Sequence, residues 1–181
     1  MTMSILDTIY SRKSVRSYTG EMISADQLQE LIKAANAAPI GRGLYDTIHL
    51  TIIKNQELLK SIDAVTAEML GRPDFHPLYG APLMILVSSK KPADDPGMYN
   101  VACSNAAIVV QNMSLAAVEM GIGTCHIWGG VRALSKSEEI LTQLNLPEDF
   151  MPCCAIIFGK TEETYTVREI PTDRFTQNTI D

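Results

Sequence analysis

Serine residues placed ahead of apolar runs predict two helices near the start of the chain. Ser4 precedes a short amphipathic run, and a longer run with helical spacing follows Ser24 and Gln27, which have the separation of a capping box. Pro39 ends the second run. A glycine-bearing loop and a β-branched segment come next, so a loop and a strand are expected there.

Apolar runs that suit strands and helices alternate along the rest of the chain. No repeat or linker divides the sequence, so this alternation predicts a single layered domain over residues 1–181. In chain order, the expected elements are a strand over 48–53, a helix over 55–69, a strand over 83–88, a helix over 100–120, a short strand within 121–127, a helix behind a capping box formed by Ser135 and Glu138, and a strand over 153–159.

The segment from Asn100 to Met120 is helical in length but apolar or small on almost every side. A helix of this kind must be covered nearly all round. In a domain of this size it either forms the centre of the fold or packs against a second subunit. The sequence therefore raises the hypothesis of a homodimer.

Composition argues against two kinds of partner. A formal net charge of −6 over 181 residues argues against wholesale binding of nucleic acid, because nucleic-acid binders display a basic face. The uninterrupted apolar runs fall far short of the roughly 20 residues that a membrane-spanning helix needs. The segment from Met1 to Tyr10 lacks the features of a secretory signal, so we expect a cytoplasmic protein without a membrane span.

Neither the cysteines nor the histidines have the spacing of a metal site. The four cysteines include no CxxC pair, and we expect them to be reduced core residues. Cys153 and Cys154 are adjacent in an expected strand, which would point them to opposite faces of the sheet. No metal ion is predicted.

The densest run of uncompensated charge lies between Ser11 and Ser17. It holds three cations, three hydroxyls and no carboxylate. Arginine offers a planar fork of donors to phosphate oxygens, and alternation along an extended segment would place Arg12, Ser14 and Arg16 on one side. A phosphate site and a solvated basic turn are both consistent with this run.

Residues 12–18, with the sequence RKSVRSY, resemble the R-x-S-x-R-x-[FY] segment that follows the first helix in the nitroreductase family. The resemblance implies an α+β fold, namely a homodimeric three-layer α/β/α sandwich with a mixed sheet. It also implies FMN bound at the subunit interface. By position, Arg12, Lys13, Ser14 and Arg16 would hold the FMN phosphate and ribityl chain.

A second region, over 34–53, resembles the family's helix ending in Ala-Pro, its loop over the flavin and its next strand. The resemblance implies backbone contacts to the flavin from Pro39, Gly41 and Gly43. The chain departs from the family here, because Gly43 stands where many members have an asparagine. Arg42 is equally consistent with an exposed loop charge and with a contact to substrate or cofactor.

A third region, over 111–130, is similar to the family's helix and the glycine-rich turn beside the flavin ring. The resemblance implies that Trp128, Gly129 or Gly130 offers a backbone N–H to flavin N5, where glycine would let the backbone approach closely. It also implies that His126 and Trp128 touch the flavin pocket. Packing or exposure explains the two side chains equally well.

The function implied by the resemblance is transfer of reducing equivalents from NADH or NADPH to a small acceptor, such as a nitroaromatic, quinone or enone, by a ping-pong mechanism. Flavin N5 carries that chemistry, so no catalytic side chain is expected. Arg168 lies where members place a C-terminal cation that binds the phosphate. The alternatives are a non-catalytic FMN-binding or sensory protein and a structural homodimer with an incidental basic turn.

Overall fold

Four strands form one sheet in the order β1-β2-β4-β3 in the computed structural model, which describes residues 4–92 and 95–180. The strands are β1 (Ile48–Ile53), β2 (Leu83–Lys90), β3 (Gly123–His126) and β4 (Phe150–Gly159). The helices are α1 (Ile5–Ser11), α2 (Ala25–Asn36), α3 (Gln56–Met69), α4 (Pro96–Glu119), α5 (Trp128–Leu134) and α6 (Glu138–Leu144).

Capping boxes begin the first two helices, although the sequence predicted a box only at the second. The Ser4 hydroxyl accepts a hydrogen bond from the Asp7 backbone N–H, and the Asp7 carboxylate accepts one from the Ser4 N–H. Ser24 and Gln27 form the same reciprocal pair at the start of α2. Each pair satisfies donors that a helix start leaves without partners, so both helices begin where their sequences signal a start.

Alternation along the central strand β2 separates two apolar cores. Leu83, Ile85 and Val87 face the core shared with α2 and α4. Met84 and Leu86 face the core shared with α3, α5 and α6. All five side chains are fully buried. The predicted three-layer α/β/α sandwich is confirmed.

The mixed sheet that the resemblance implies is not found within one chain, because all three pairings among the described residues are antiparallel. The connection from β1 to β2 explains the difference for that pair. The Gln56 side chain, at the start of α3, donates a 3.0 Å hydrogen bond to the carbonyl of Pro82, just before β2. The chain therefore re-enters the sheet at the end where β1 left it, and the two neighbours run in opposite directions.

Helix α5 lies where the resemblance implies a glycine-rich turn. Its first residues include Gly129 and Gly130, which disfavour a helix by about 1 kcal/mol each relative to alanine. Tertiary packing overrides this preference, because the first turn of α5 lies on α3. A Cβ atom at Gly129 would lie 3.5 Å from the Cγ2 atom of Thr66.

Helix α6 is capped by a different serine from the one predicted. The Ser137 hydroxyl accepts the hydrogen bond from the Ile140 N–H. The Ser135 hydroxyl instead donates a 2.7 Å hydrogen bond to the carbonyl of Val131, at the end of α5. The predicted capping box of Ser135 and Glu138 is therefore wrong, because the unpredicted helix α5 uses Ser135.

A β-bulge in β4 changes the direction of the adjacent cysteines. Val87 pairs with Cys154 and Ser88 pairs with Pro152, which leaves Cys153 without an opposite residue. Both cysteines are buried in the core shared with α2 and α4, so the prediction that they face opposite sides is wrong. The four cysteines are free thiols, and burial raises the pKa of Cys154 to about 11.

Helix α4 is apolar on its covered side and on part of its exposed side. Val110 and Met113 are buried, while Val101 and Ile108 are 41% and 37% exposed. Within residues 4–92 and 95–180 it is the one helix long and apolar enough to cross a membrane, and half of that stretch is buried inside the fold. The buried half makes α4 a core helix of the sandwich.

Two glycines face each other across β3 and β4 beneath the ring of Tyr18. Gly123 pairs with Gly159, and a Cβ atom at either position would lie 3.0 Å from a carbon of the Tyr18 ring. The Tyr18 hydroxyl donates a 3.1 Å hydrogen bond to the carbonyl of Val15. The glycines therefore provide the space in which Tyr18 holds residues 12–18 against the sheet.

We expect Gly159→Ala to lower the free energy of unfolding by about 1–3 kcal/mol, the usual cost of overpacking. The added Cβ would lie 2.6 Å from Cδ of Pro82, which is part of a rigid ring. Urea unfolding measures the change. Gly129→Ala is the matched control, since its nearest neighbour would be 3.5 Å away and its stability should not fall. Wild-type stability in Gly159→Ala would contradict the prediction.

Candidate functional site

Residues 12–18 run beside the edge strand β3. The Val15 N–H donates a 2.9 Å hydrogen bond to the carbonyl of Thr124, and the Val15 side chain is fully buried. Ser14 and Arg16, on either side of it in the chain, are partly exposed and exposed. This agrees with the alternation expected for the segment.

Two side chains of β3 lie beside the cations of this segment. Burial raises the pKa of the Cys125 thiol, while a hydrogen bond with Ser14 and the charges of Arg16 and Arg12 oppose that rise. Burial also lowers the pKa of His126, and the charge of Arg12 lowers it further. His126 is therefore neutral at pH 7.

The Nε2 atom of His126 is buried and has no hydrogen-bond partner within residues 4–92 and 95–180. A buried polar atom without a partner costs about 1–3 kcal/mol, and such atoms in native proteins call for an explanation. The hydroxyl of Thr124, on the same strand, is likewise buried without a partner among the described residues.

The chain after β4 brings a carboxylate to the cationic segment. Lys13 Nζ lies 2.7 Å from Glu163 Oε2, and the hydrogen bond from Lys13 holds the pKa of Glu163 below its usual range. Glu163 also accepts a 3.4 Å hydrogen bond from the Arg16 backbone N–H. Lys13 is therefore a compensated cation, and sequence reasoning missed this contact because it joins distant parts of the chain.

Arg168 is engaged with the backbone at the end of α1. Its Nε atom donates a 2.9 Å hydrogen bond to the carbonyl of Tyr10, and its Nη2 atom donates a 2.5 Å hydrogen bond to that of Arg12. Carbonyls at a helix C-terminus lack intrahelical partners and attract cations. Arg168 thus positions the start of the cationic segment, and its contact with a phosphate stays a prediction.

Tyr79, in the loop between α3 and β2, lies beside Arg16. The guanidinium carbon of Arg16 lies 5.9 Å from the centroid of the Tyr79 ring, and a hydrogen bond with Tyr79 raises the pKa of Arg16. Tyr79 has a left-handed φ of 51°, which is strained for a bulky residue. Sequence reasoning missed Tyr79, because a proline-rich loop carries no signal for such a contact.

The predicted contacts at Trp128, Gly129 and Gly130 fall on the first turn of α5, directly after β3 and His126. Trp128 is 62% exposed. A Cβ atom at Gly130 would lie 2.6 Å from Cγ2 of Ile127, so only glycine fits there without a shift. This turn follows His126 by two residues, and its contact with flavin N5 stays a prediction.

Pro39, Gly41 and Gly43 lie in another part of the molecule. The Gly41 N–H donates a 3.2 Å hydrogen bond to Asn105 Oδ1, in the N-terminal half of α4. Helix α1, which leads into Arg12, touches the far end of α4 at Glu119. At 1.5 Å per residue these two places on α4 are about 21 Å apart. One chain therefore does not bring the two predicted groups together.

Comparison with known proteins agrees with this fold. The Nitroreductase family model matches residues 9–160, so the chain belongs to the nitroreductase family. A crystal structure of a nitroreductase with bound FMN from Desulfitobacterium hafniense has a TM-score of 0.82 and 26% identity, covering 99% of this chain and 100% of that one. The corresponding values for a nitroreductase with bound FMN from Bacteroides fragilis are 0.79, 26%, 99% and 100%.

A curated relative, the FMN reductase (NADPH) of Bacillus subtilis, is 26% identical over 167 residues, which are 85% of this chain and 64% of that protein. The resemblance stated from residues 12–18 is thus confirmed at the level of the family. The residue contacts to a cofactor stay predictions.

We expect the free energy of unfolding to fall on acidification by an amount that depends on His126. The pKa of His126 in the folded state lies below the unfolded value of about 6.5. Between these two pKa values the unfolded state binds more protons than the folded state, so acidification favours unfolding. The contribution of the neutral His126 ring to the free energy of unfolding is therefore present above pH 6.5 and is lost as the pH falls toward the folded pKa.

Urea unfolding of the FMN-free protein at neutral pH and in mild acid measures this loss. His126→Asn should lose less stability over the same interval, because it no longer has the titrating ring. An acid dependence equal to that of the wild type would show that His126 does not contribute.

Proposed function

We propose that the protein is an FMN-dependent oxidoreductase that takes reducing equivalents from NADH or NADPH and passes them to a small acceptor, such as a nitroaromatic, quinone or enone, in a ping-pong sequence. The family match and the FMN-bound relatives support this proposal. The observation that carries it is the cationic segment on β3, where Arg12 lies beside the neutral His126 and Arg16 beside Cys125, an arrangement that suits a phosphorylated cofactor.

The residues of the segment would divide the work of binding FMN. Arg12 and Arg16 would pair with the phosphate, and Ser14 would add a neutral donor. The guanidinium carbon of Arg16 lies 5.9 Å from the centroid of the Tyr79 ring. Lys13, bridged to Glu163, and Arg168, bound to backbone carbonyls, would hold the segment in place more than they neutralise the phosphate.

Bound FMN supplies the redox chemistry, since its N5 atom accepts and donates hydride, and the chain needs no acid or base of its own for that step. The first turn of α5 would present backbone N–H groups beside the ring. His126, neutral at pH 7, would hydrogen-bond a cofactor oxygen without adding charge. A cytoplasmic location stays a prediction, and neither nucleic acid nor a membrane enters the proposal.

We also propose that two copies complete each flavin site. The loop at Gly41 lies about 21 Å along α4 from the end where the cationic segment starts, too far for one chain to close a site over FMN. Val101 and Ile108, seven residues apart on α4, form an exposed apolar stripe that a second copy would cover. A twofold axis across α4 would bring the Gly41 loop of one copy to the cationic segment of the other.

The direct test is a visible absorbance spectrum of the purified protein under nitrogen, before and after addition of NADH and then NADPH. A flavin band that bleaches supports the oxidoreductase and ranks the two donors. A flavin band that neither donor bleaches favours the non-catalytic FMN-binding alternative. A protein that is colourless and takes up no added FMN refutes both.

We expect the double variant Arg12→Ala, Arg16→Ala to bind FMN at least about 100-fold more weakly, because each lost charge-assisted pair is worth about 1.5–3 kcal/mol. Fluorescence titration of the FMN-free protein measures the affinity. The matched control, Lys33→Ala with Lys54→Ala, removes the same charge from exposed positions and should bind FMN normally. Unchanged affinity in the arginine variant would remove the central claim.

We expect Ile108→Asp to convert the dimer to a monomer, because a carboxylate would be buried without a partner in the apolar interface. Light scattering after gel filtration measures the mass, and absorbance measures the retained FMN, which should fall with it. Met22→Asp is the control, since Met22 is 36% exposed and Ile108 is 37% exposed. A dimer that keeps its FMN in Ile108→Asp would refute the proposed interface.

A further inference from the structure

One carboxylate of α3 makes two contacts to the loop that connects α3 to β2. The Oδ1 atom of Asp63 accepts a 2.7 Å hydrogen bond from the Leu78 backbone N–H. Its Oδ2 atom lies 2.8 Å from the Nδ1 atom of His76. The Asp63 side chain is 16% exposed, whereas that of His76 is 78% exposed. The contact to Leu78, which is buried, is therefore the better protected of the two from water.

A groove of about 800 Å³ lies beside these contacts. It is lined on one side by α3 and on the other by residues 73–76 and 78–81. Leu78 and Ala81 are buried and anchor the end of the loop in the core shared with α3, α5 and α6. Asp63 therefore adds a polar link from α3 to the loop at the point where the loop enters the core.

Tyr79 follows Leu78 directly and has a backbone conformation that is uncommon for its side chain. Tyr79 and Gly80 have left-handed φ values of 51° and 74°. Such values suit glycine, but for a bulky residue they are rare and persist only where the surrounding structure holds them. Asp63 holds the Leu78 N–H before Tyr79, and the Leu78 carbonyl accepts a 2.9 Å hydrogen bond from the Ala81 N–H after it. The backbone is thus held on both sides of Tyr79.

The Tyr79 ring lies beside a cation of the candidate site. Its centroid is 5.7 Å from that of the Phe75 ring, which it meets edge-on, and 5.9 Å from the guanidinium carbon of Arg16. A hydrogen bond with Tyr79 also raises the pKa of Arg16. Arg16 is an exposed residue, and a long exposed side chain has many rotamers. An attractive contact to a ring that is itself held in place favours some of these rotamers over the others.

We propose that Asp63 is a positioning residue for FMN binding, because it holds the backbone at Tyr79 and so keeps the Arg16 guanidinium oriented before the cofactor arrives. The proposal rests on the proposed function, in which Arg16 pairs with the phosphate. Preorganisation of this kind raises affinity, since the side chain loses less conformational freedom on binding. Asp63 acts through the loop and touches no atom of the cofactor.

Fluorescence titration of the FMN-free protein with FMN tests the proposal. Asp63→Ala should bind FMN about threefold to tenfold more weakly, the range expected when one long side chain must be ordered on binding. Loss of a carboxylate near a cationic site favours an anionic ligand by charge alone, so the expected change has the opposite sign to the electrostatic one. The matched control is Asp74→Ala, at an exposed position that lines the same groove, and its FMN affinity should not fall. Wild-type affinity in Asp63→Ala, or an equal loss in the control, would overturn the proposal.

A double-mutant cycle separates positioning of Arg16 from a general effect on the fold. In the Arg16→Ala background, Asp63→Ala should change the FMN affinity by less than about twofold, because no guanidinium remains to be oriented. An equal loss of affinity in both backgrounds would show that Asp63 acts on the fold as a whole, and would overturn the proposal.

Asp63→Asn provides a conservative replacement in case Asp63→Ala does not fold. The amide oxygen of asparagine can still accept the Leu78 N–H, so the FMN affinity should stay within about twofold of the wild type. Urea unfolding reports the stability of each variant. An Asp63→Asn variant with wild-type stability that binds FMN at least about threefold more weakly would overturn the role of the Leu78 contact.

An NMR measurement on the FMN-free protein separates this proposal from the proposed function. The Nε–H signal of Arg16, identified by its loss in Arg16→Ala, should move in Asp63→Ala and stay in place in Asp74→Ala. An unchanged signal in Asp63→Ala would overturn the positioning role. If the wild type took up no FMN, the proposed function would fail, while this signal would still decide whether Asp63 orients Arg16.

Discussion

The attachment of residues 12–18 to the edge strand β3 is the constraint on which the candidate site depends. The hydrogen bond from Val15 to Thr124 sets its position along the strand, and Tyr18 fills the space above Gly123 and Gly159. A side chain on either glycine would push the ring outward and the segment with it. The two glycines leave the space that the Tyr18 ring occupies, so they help to place the cations that flank Val15.

Helix α4 sets the distance between the segment 12–18 and the Gly41 loop, and this distance is the reason that a second subunit is proposed. Its buried side closes one core of the sandwich, and its C-terminal end meets α1 through Glu119. Its N-terminal half holds the Gly41 loop through Asn105. One rigid helix thus keeps the two predicted flavin-contact groups apart, and its exposed apolar stripe offers the surface through which another copy would reunite them. The same helix would set the spacing of the site and the geometry of the dimer.

Local signals in the sequence predict most of the fold, while contacts between distant segments are missed. The capping boxes at Ser4 and Ser24 involve residues three positions apart, so the sequence suffices to find them. Helix α5 forms because α3 packs against its glycines, and the bulge at Cys153 arises from register with β2. Within the site, Arg12, Ser14 and Arg16 follow from one short motif. Their neighbours Glu163 and Tyr79 arrive from remote parts of the chain, which only the folded chain brings together.

The contacts of each cation in the candidate site show whether it positions the segment 12–18 or is available to bind a ligand. Lys13 forms an ion pair with Glu163, and Arg168 donates hydrogen bonds to backbone carbonyls. Neither side chain therefore offers its full charge to a ligand. Arg12 lies beside the neutral His126, and neither Arg12 nor Arg16 forms an ion pair within residues 4–92 and 95–180, so these two arginines keep their charge for a ligand.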